Sequence, residues 1–518
     1  MAETAILVEV DLVSPAGAAV TLRFCDRPVR PFASTDADRP NLTWDDRLAE
    51  PPTFRRALFE DIMALTPSVA AGAMTLTNAD GGLDAYKGHA WNEVRVWRWT
   101  EGTAFSAAVG LLVGLCGQPA YDHTSRQARR VRVNLYDFPA ELEQAIQGTL
   151  YSGGNDGVSV FYEGYADGLK GRPKPIAYGD LTDAHLPPIQ VNAGAYVFQL
   201  GDGALQGSEA IFDGGAAAGY ADQGDKADAV FDATTPSAAS YITNLARGLV
   251  KINGNPVLGL SFGIKGASAG GYVETVGPIA AKLLAKAGVP GGRIGASVAA
   301  LSSTAKVGVF AGEAINAGEL IGWLARSCLT AILPDRAGVY QAYPFGPPAV
   351  SADAAIGEDQ VLAIEADDAG MAPIGEIRVG WGRIWTTFST GELKASVRST
   401  SEAERLAEPY RWATLTDATV KARFPRAWRT LSIETALRSE ADAQALATSL
   451  QTLFGLRADG TPRRIWRVTV SQIDGLAAEL GDTVALTYPP LSLNDNYVLI
   501  AEEPMRPRRD QAVWTLWG

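Results

Sequence analysis

Short runs of apolar–polar alternation, each closed by a turn rich in Gly, Asn or Asp, set the tightest limit on how this chain can fold. In Glu93–Trp99, Val94 and Val96 alternate with Trp97 and Trp99. In Arg130–Tyr136 the apolar positions are Val131, Val133 and Leu135. A period of two belongs to strands with two distinct faces. The breaks hold residues that tolerate positive φ, as in Asn78-Ala79-Asp80-Gly81-Gly82 and Ser14-Pro15-Ala16-Gly17.

The pattern divides the 518 residues into four parts. Residues 1–150 read as mostly β, with strands at Ala5–Val13, Val20–Cys25, Ala73–Thr77 and the two runs above. Residues 27–56, rich in Pro and Asp, are expected to run as loop, and Phe138–Gln147 as a short helix. Residues 151–235 are dense in Gly and Pro and predict a small β module. Extended segments lie at Arg172–Asp180 and Leu186–Val191, and Tyr196–Leu200 and Glu209–Phe212 flank a Gly201-Asp202-Gly203 turn. Residues 236–370 change to mixed α/β. Helices are predicted at Ser240–Val250, Thr275–Lys286 and Gly318–Leu329, followed by a hairpin turning at Pro334-Asp335-Arg336-Ala337-Gly338. Thr275–Lys286 carries one apolar stripe of Val276, Ile279, Ala280, Leu283 and Leu284, with Gly288 as the stop. Residues 371–518 return to β. A long strand is predicted at Ile377–Phe388, and a helix capped by Ser439 carries Leu446, Leu450, Leu453 and Phe454 inward to Gly455. Four strands follow, at Ile465–Val470, Thr483–Thr487, Tyr497–Ala501 and Ala512–Trp517. The fold class is therefore mainly β with an α+β middle, in several domains.

Composition removes several functions. Three Cys, at 25, 116 and 328, cannot build a disulfide framework, and none stands in a CxxC pair. Three His, at 89, 123 and 185, leave little for a zinc site and are read as ordinary loop residues. No run approaches the roughly 20 apolar residues of a membrane helix. The start, MAETAILVEV, places acids where a secretory signal carries basic residues. A formal net charge of −13 argues against a chain that coats nucleic acid.

Motifs that suggest chemistry are weak. Gly266-Ala267-Ser268-Ala269-Gly270 matches GxSxG and sits between a strand-like stretch, Val257–Phe262, and a helix, as a nucleophile elbow would. All three His precede Ser268, whereas an α/β-hydrolase places its His after the Ser, so a Gly-rich turn is the simpler reading. Ser303-Thr304-Ala305-Lys306 matches SxxK without its companion motifs. Glu365, Asp367 and Asp368 read as a solvated acidic loop. Three Arg clusters (Arg126, Arg129, Arg130, Arg132; Arg463, Arg464, Arg467; Arg506, Arg508, Arg509) read as salt-bridging groups at subunit contacts in an acidic chain. Twelve Trp, several in alternation (Trp97, Trp99; Trp381, Trp385; Trp514, Trp517), leave core packing and an interface both open. No catalytic, cofactor-binding or metal-ligating residue is assigned.

Several segments, taken in order, resemble the baseplate or tail-tip hub proteins of tailed bacteriophages. These are Gly72–Asp84 (GAMTLTNADGGLD), Lys174–Asp180 (KPIAYGD) with Pro187-Pro188, Tyr196–Asp202 (YVFQLGD) and Glu209–Gly214 (EAIFDG). The helix, helix and hairpin at Val276–Ala287, Ala317–Ser327 and Ala331–Tyr343 follow. Gly380–Leu406, Gly481-Asp482-Thr483-Val484 and Trp514-Thr515-Leu516-Trp517-Gly518 complete the set. The likeness runs from about residue 70 to the end. It implies two β-barrel-like hub domains, 1–150 and 371–518, with smaller parts at 151–235 and 236–370. It also implies a homotrimer whose ring adapts a six-fold tail to a three-fold tip and lets DNA pass. Implied partners are the distal tail protein, the tape measure protein and a central fibre or spike protein. No cofactor, sequence-specific nucleic acid or membrane span is implied, and the location is the virion, at the tail tip or baseplate. Two other readings remain at this stage: a carbohydrate-binding receptor protein of the tail using exposed Trp, and a serine hydrolase using Ser268.

Overall fold

The computed structural model describes residues 3–29, 32–68, 71–122, 129–155, 162–366, 373–424, 429–471, 473–506 and 511–518. Strand makes up 42% and helix 20% of the described residues, and the strands form several sheets, so the molecule is mainly β and multidomain. The largest sheet holds fifteen strands among the described residues. Its path runs Val361–Ala366, Ile465–Ser471, Gln511–Trp517, Leu493–Arg506, Leu48–Ala57, Ala71–Thr77, Arg130–Tyr136, Val109–Cys116, Ala90–Thr100, Thr4–Val13, Ala19–Cys25 and Asp45–Asp46. The path is open at both ends, and no closed barrel occurs among the described residues. Strands from both ends of the sequence thus share one sheet. They join where Leu493–Arg506 pairs Leu48–Ala57 at Ala501↔Ala57 and Glu502↔Arg56, and the Leu58 amide donates to the Ile500 carbonyl at 2.9 Å.

The alternation in Ala90–Thr100 acquires its meaning here, because both faces of that strand are covered. Val94 and Val96 pack into one apolar cluster with Val8, Val10, Leu76 and Val133. Trp97 and Trp99 face a second cluster with Phe32, Trp44 and Phe105. Burial on both faces also explains the aromatic density of this strand.

Two five-stranded sheets form the middle. One runs Ala216–Ala217, Leu205–Asp213, Leu260–Ala267, Ile176–Leu186 and Gly308–Ala311. The other runs Ile189–Asn192, Val197–Gln199, Leu249–Asn253, Ser240–Asn244 and Ala221–Asp225. Strands on both sides of residue 235 therefore share sheets. The helices Val276–Lys286 and Ala317–Arg326 pack together, and the whole predicted stripe from Val276 to Leu284 is buried. The hairpin Thr330–Pro334 with Tyr340–Pro344 turns where Asp335 Oδ1 accepts from the Ala337 and Val339 amides, with Gly338 at φ 78°. A three-stranded sheet, Arg411–Thr416, Glu376–Trp381 and Thr430–Glu434, carries the helix Glu440–Phe454. Ser439 caps that helix by accepting the Asp442 amide at 3.2 Å. Leu446, Leu450, Leu453 and Phe454 point inward into a core that continues through Trp514 and Trp517.

Four local expectations change. Leu48–Ala57 falls, but for its last residue, inside the stretch expected to be loop, yet it is a ten-residue strand at the centre of the large sheet. Pro51 and Pro52 are accommodated because the register against Ala71–Thr77 shifts between Glu50 and Thr53, where the ladder needs no donor from them. Beyond them the alternation is regular, with Phe54 and Arg56 inward. Ser240–Val250 is not a helix. It forms the fully buried strand Ser240–Asn244 and then one 3₁₀ turn ending at Gly248, whose φ of 65° starts the next strand. Sheet neighbours on both sides suit the β-branched Ile242 and Thr243. The strand expected over Ile377–Phe388 stops at Trp381, because Gly382 adopts φ 59° and turns the chain away. Phe138–Gln147 shortens to a 3₁₀ segment, Phe138–Glu143.

Candidate functional site

The short motifs resolve into structural roles. Ser268 follows the strand Leu260–Ala267 in a turn: its amide donates to the Ala204 carbonyl at 2.9 Å, and its carbonyl accepts from Gly271 at 2.9 Å. Lys282 donates to the Ala269 carbonyl at 2.6 Å and to that of Gly271, fixing the turn. The next helix begins only at Val276. Lys306 of the SxxK match is paired with Glu274 at 2.9 Å. Glu365 lies exposed on the Val361–Ala366 strand, while Asp367 and Asp368 lie outside the described residues. Among the described residues, no three His, Cys, Asp or Glu side chains gather as metal ligands would. No described helix is long and apolar enough to cross a membrane. Burial pushes the thiols of Cys25 and Cys116 up to about 12 and that of Cys328 up to about 11, which leaves them protonated and unreactive at neutral pH.

Four of the clustered Arg engage partners within the chain. Arg129 lies 3.9 Å from Asp84, Arg130 lies 3.8 Å from Glu50, and Arg467 lies 3.7 Å from Glu503. Arg463 stacks its guanidinium 4.9 Å from the Trp517 ring centre and donates to the Thr452 carbonyl at 3.2 Å. Arg126, Arg508 and Arg509, like His123, lie outside the described residues. Most of the named Trp are core: Trp99, Trp381, Trp514 and Trp517 are buried, whereas Trp97 and Trp385 are half-buried.

The sheet junction is locked by a buried charge cluster that the sequence did not reveal. Glu502 is 1% exposed and Arg56 3%. Arg56 donates to Glu502, to Glu479 at 2.6 Å and to the Pro334 carbonyl at 3.0 Å. Arg336, from the hairpin turn, donates to both Glu502 oxygens and to the Ala478 carbonyl at 2.8 Å. Burial pushes the Arg56 guanidinium down, but Glu502 and Glu479 outweigh it and hold the group above its ordinary value. One site thus ties the first part of the chain, the hairpin and the last part together.

His185 departs from the loop assignment. It ends the strand Ile176–Leu186 region at φ 46°, beside a register shift in its pairing with Leu260–Ala267, and its ring is 2% exposed. The ring meets the Ser261 hydroxyl through Nδ1 at 2.9 Å and lies 4.2 Å from Phe212, with Phe388 at 5.8 Å. Burial first, then Arg405 and Arg438, bring its pKa down to about 4 against the opposing pull of Asp183. A base whose folded pKa lies below its unfolded value leaves stability untouched above the unfolded pKa and removes it as pH falls. Stability is therefore expected to drop between about pH 6.5 and 4, by on the order of 3 kcal/mol. Unfolding midpoints across that window should show the drop, and His185→Gln should flatten it. Equal slopes in the two proteins would contradict this assignment.

A cleft of about 550 Å³ opens where the middle sheet, the helix Ala317–Arg326 and the three-stranded sheet meet. Phe310 comes from the strand Gly308–Ala311, and Trp323 and Arg326 come from one face of the helix. Arg383 and Trp385 come from the segment after Gly382, and Glu434 ends the strand Thr430–Glu434. Trp323 and Trp385 meet edge to face at 6.4 Å, and Phe310 meets Trp385 at 5.9 Å. The Arg383 guanidinium carbon lies 5.3 Å from the Trp323 ring centre and 5.1 Å from that of Trp385. Of these residues only Trp385 had been singled out from sequence, through its alternation with Trp381. The others come from separate segments that no local pattern connects.

No family model matches the chain, and no curated protein is similar to it. Among solved structures, the chain is similar to the prophage MuSo2 43 kDa tail protein from Shewanella oneidensis, at 10% identity over 99% of this chain and 97% of that one, with a TM-score of 0.41. It is similar to the tail protein from Neisseria meningitidis MC58, at 10% identity over 99% and 96%, with a TM-score of 0.41. It is also similar to the prophage tail protein gp18 from Listeria monocytogenes EGD-e, at 10% identity over 98% and 94%, with a TM-score of 0.35. Likenesses this distant carry no inference about the activity or partners of this chain.

Proposed function

We propose that this chain is a structural protein of a bacteriophage tail and, within the tail, the hub of its baseplate or tip. The ordered run of hub-like segments from residue 72 to the end supports this reading. The single observation that carries it in three dimensions is the sheet junction: strands from 1–150 and from 371–518 continue one another at Glu502↔Arg56. In this reading the two end regions are two β lobes held at a fixed angle, and 151–235 and 236–370 are the smaller parts between them. Three chains then place six lobes around a ring, the number that a six-fold distal tail protein presents. The tape measure protein and a central fibre or spike protein bind the two ends of that ring. Three copies of a −13 chain carry about −39, and like charge keeps DNA phosphate from adhering as it passes. A channel lined with Arg and Lys would remove that last element.

Gold-labelled antibody against this chain tests the location. Label at the distal end of the tail is expected on negatively stained particles. Label along the tail shaft, on the head, or on no particle would overturn the assignment.

A further inference from the structure

We propose that the cleft lined by Trp323 and Trp385 binds a saccharide ring. The proposal does not depend on where the protein sits in a virion. A sugar offers two surfaces to a protein: an apolar face of C–H groups, and an edge of neighbouring hydroxyls that both donate and accept hydrogen bonds. The cleft supplies counterparts to both. Trp385 is half-buried, so part of its ring remains open to the cleft, and Trp323 and Phe310 hold it edge-on. Planar donors stand beside planar acceptors. Arg326 and Arg383 bring guanidinium forks, and the exposed Glu319 and Glu434 bring carboxylates.

Tyr410 stands near both guanidiniums. Among the described residues no carboxylate lies within 4.0 Å of either one. Arg383 packs among the aromatic rings of Trp323, Trp385 and Tyr410. Arg326 is half-buried and, among the described residues, donates a long 3.4 Å bond to the Gly322 carbonyl. Burial pushes it below its ordinary pKa, the condition that added oxygen ligands relieve. The Arg383 Nε and Trp323 Nε1 donors are buried without a hydrogen-bond partner among the described residues, so the wall retains unmet donor capacity. Acids and bases are mixed, which favours a hydroxyl-rich ligand over a polyanion. A volume of about 550 Å³ admits a short oligosaccharide.

The full-length protein is applied to a printed array of bacterial-surface glycans, with dextran sulfate as the polyanion control. The strongest array ligand is then titrated while Trp fluorescence is followed. Saturable binding is expected, weakened about tenfold or more by Trp385→Ala and several-fold by Glu434→Gln. Glu434 is exposed, so its variant is expected to fold normally and keeps the test meaningful if Trp385→Ala perturbs packing. A blank array, binding of dextran sulfate alone, or equal affinity in the wild type and Glu434→Gln would each overturn the proposal. Hydrogen-exchange protection of the cleft that rises with protein concentration, without glycan binding, would assign the surface to a protein contact instead and would also overturn it.

Discussion

Glu502→Gln is expected to destabilise the protein by roughly 3–5 kcal/mol, the cost of leaving a buried charge without its partner. Glu502 is the shared acceptor for Arg56 and Arg336, and their side chains are only 4% and 13% exposed, so water replaces it poorly. Glu479 remains, but it is 31% exposed and already accepts from Arg56. A surface pair provides the contrast. Arg172 and Glu313 approach to 3.4 Å with 55% and 85% of their side chains exposed, and removing that pair should cost under about 1 kcal/mol. Hydrogen exchange is the better probe, because a chain with several cores need not unfold in one step. In the Glu502→Gln protein, protection should fall first at the pairing between Leu48–Ala57 and Leu493–Arg506. An unchanged exchange pattern there would show that the charge cluster does not hold the two regions together.

Trp517→Ala should have a comparable effect, about 3–5 kcal/mol, for a different reason. The indole is fully buried, 4.8 Å from Phe345 beyond the hairpin and 6.4 Å from Phe454 at the end of the helix Glu440–Phe454. Arg463 covers its other side. Truncation opens a cavity among Phe345, Phe454 and Arg463, which come from separate segments and cannot easily close it together. Trp517→Phe retains most of the contact area and should cost clearly less. Chemical denaturation of both variants separates the cavity cost from any loss of the Arg463 contact. Equal losses for Ala and Phe would contradict the cavity account.

Much of the strand content was legible because it rests on local alternation. Arg130–Tyr136 and Ile465–Ser471 have inward residues at every second position, and a local pattern is sufficient to find them. The helices Val276–Lys286 and Ala317–Arg326 were legible for the same reason at a different period. The misses arose where neighbours overrule local preference. Pro51-Pro52 reads as loop until a bulge in the partner ladder accommodates it. Ser240–Asn244 reads as helix until two flanking strands enclose it. His185 reads as a loop residue because nothing in sequence shows Phe212, Ser261 and Phe388 closing around it. Long-range features were the least visible. The junction of the two end regions rests on the pairing of Glu502 with Arg56, 446 residues apart, and the cleft gathers Phe310, Trp323, Trp385 and Glu434 from four separate elements.

The proposed hub is a three-fold ring of paired β lobes. Light scattering on the purified full-length protein, measured across a dilution series, tests it most directly. A mass three times that of the single chain, held on dilution, is expected, with three-fold symmetric particles by electron microscopy. A monomer stable at every concentration, or a closed assembly of two or four chains, would contradict it.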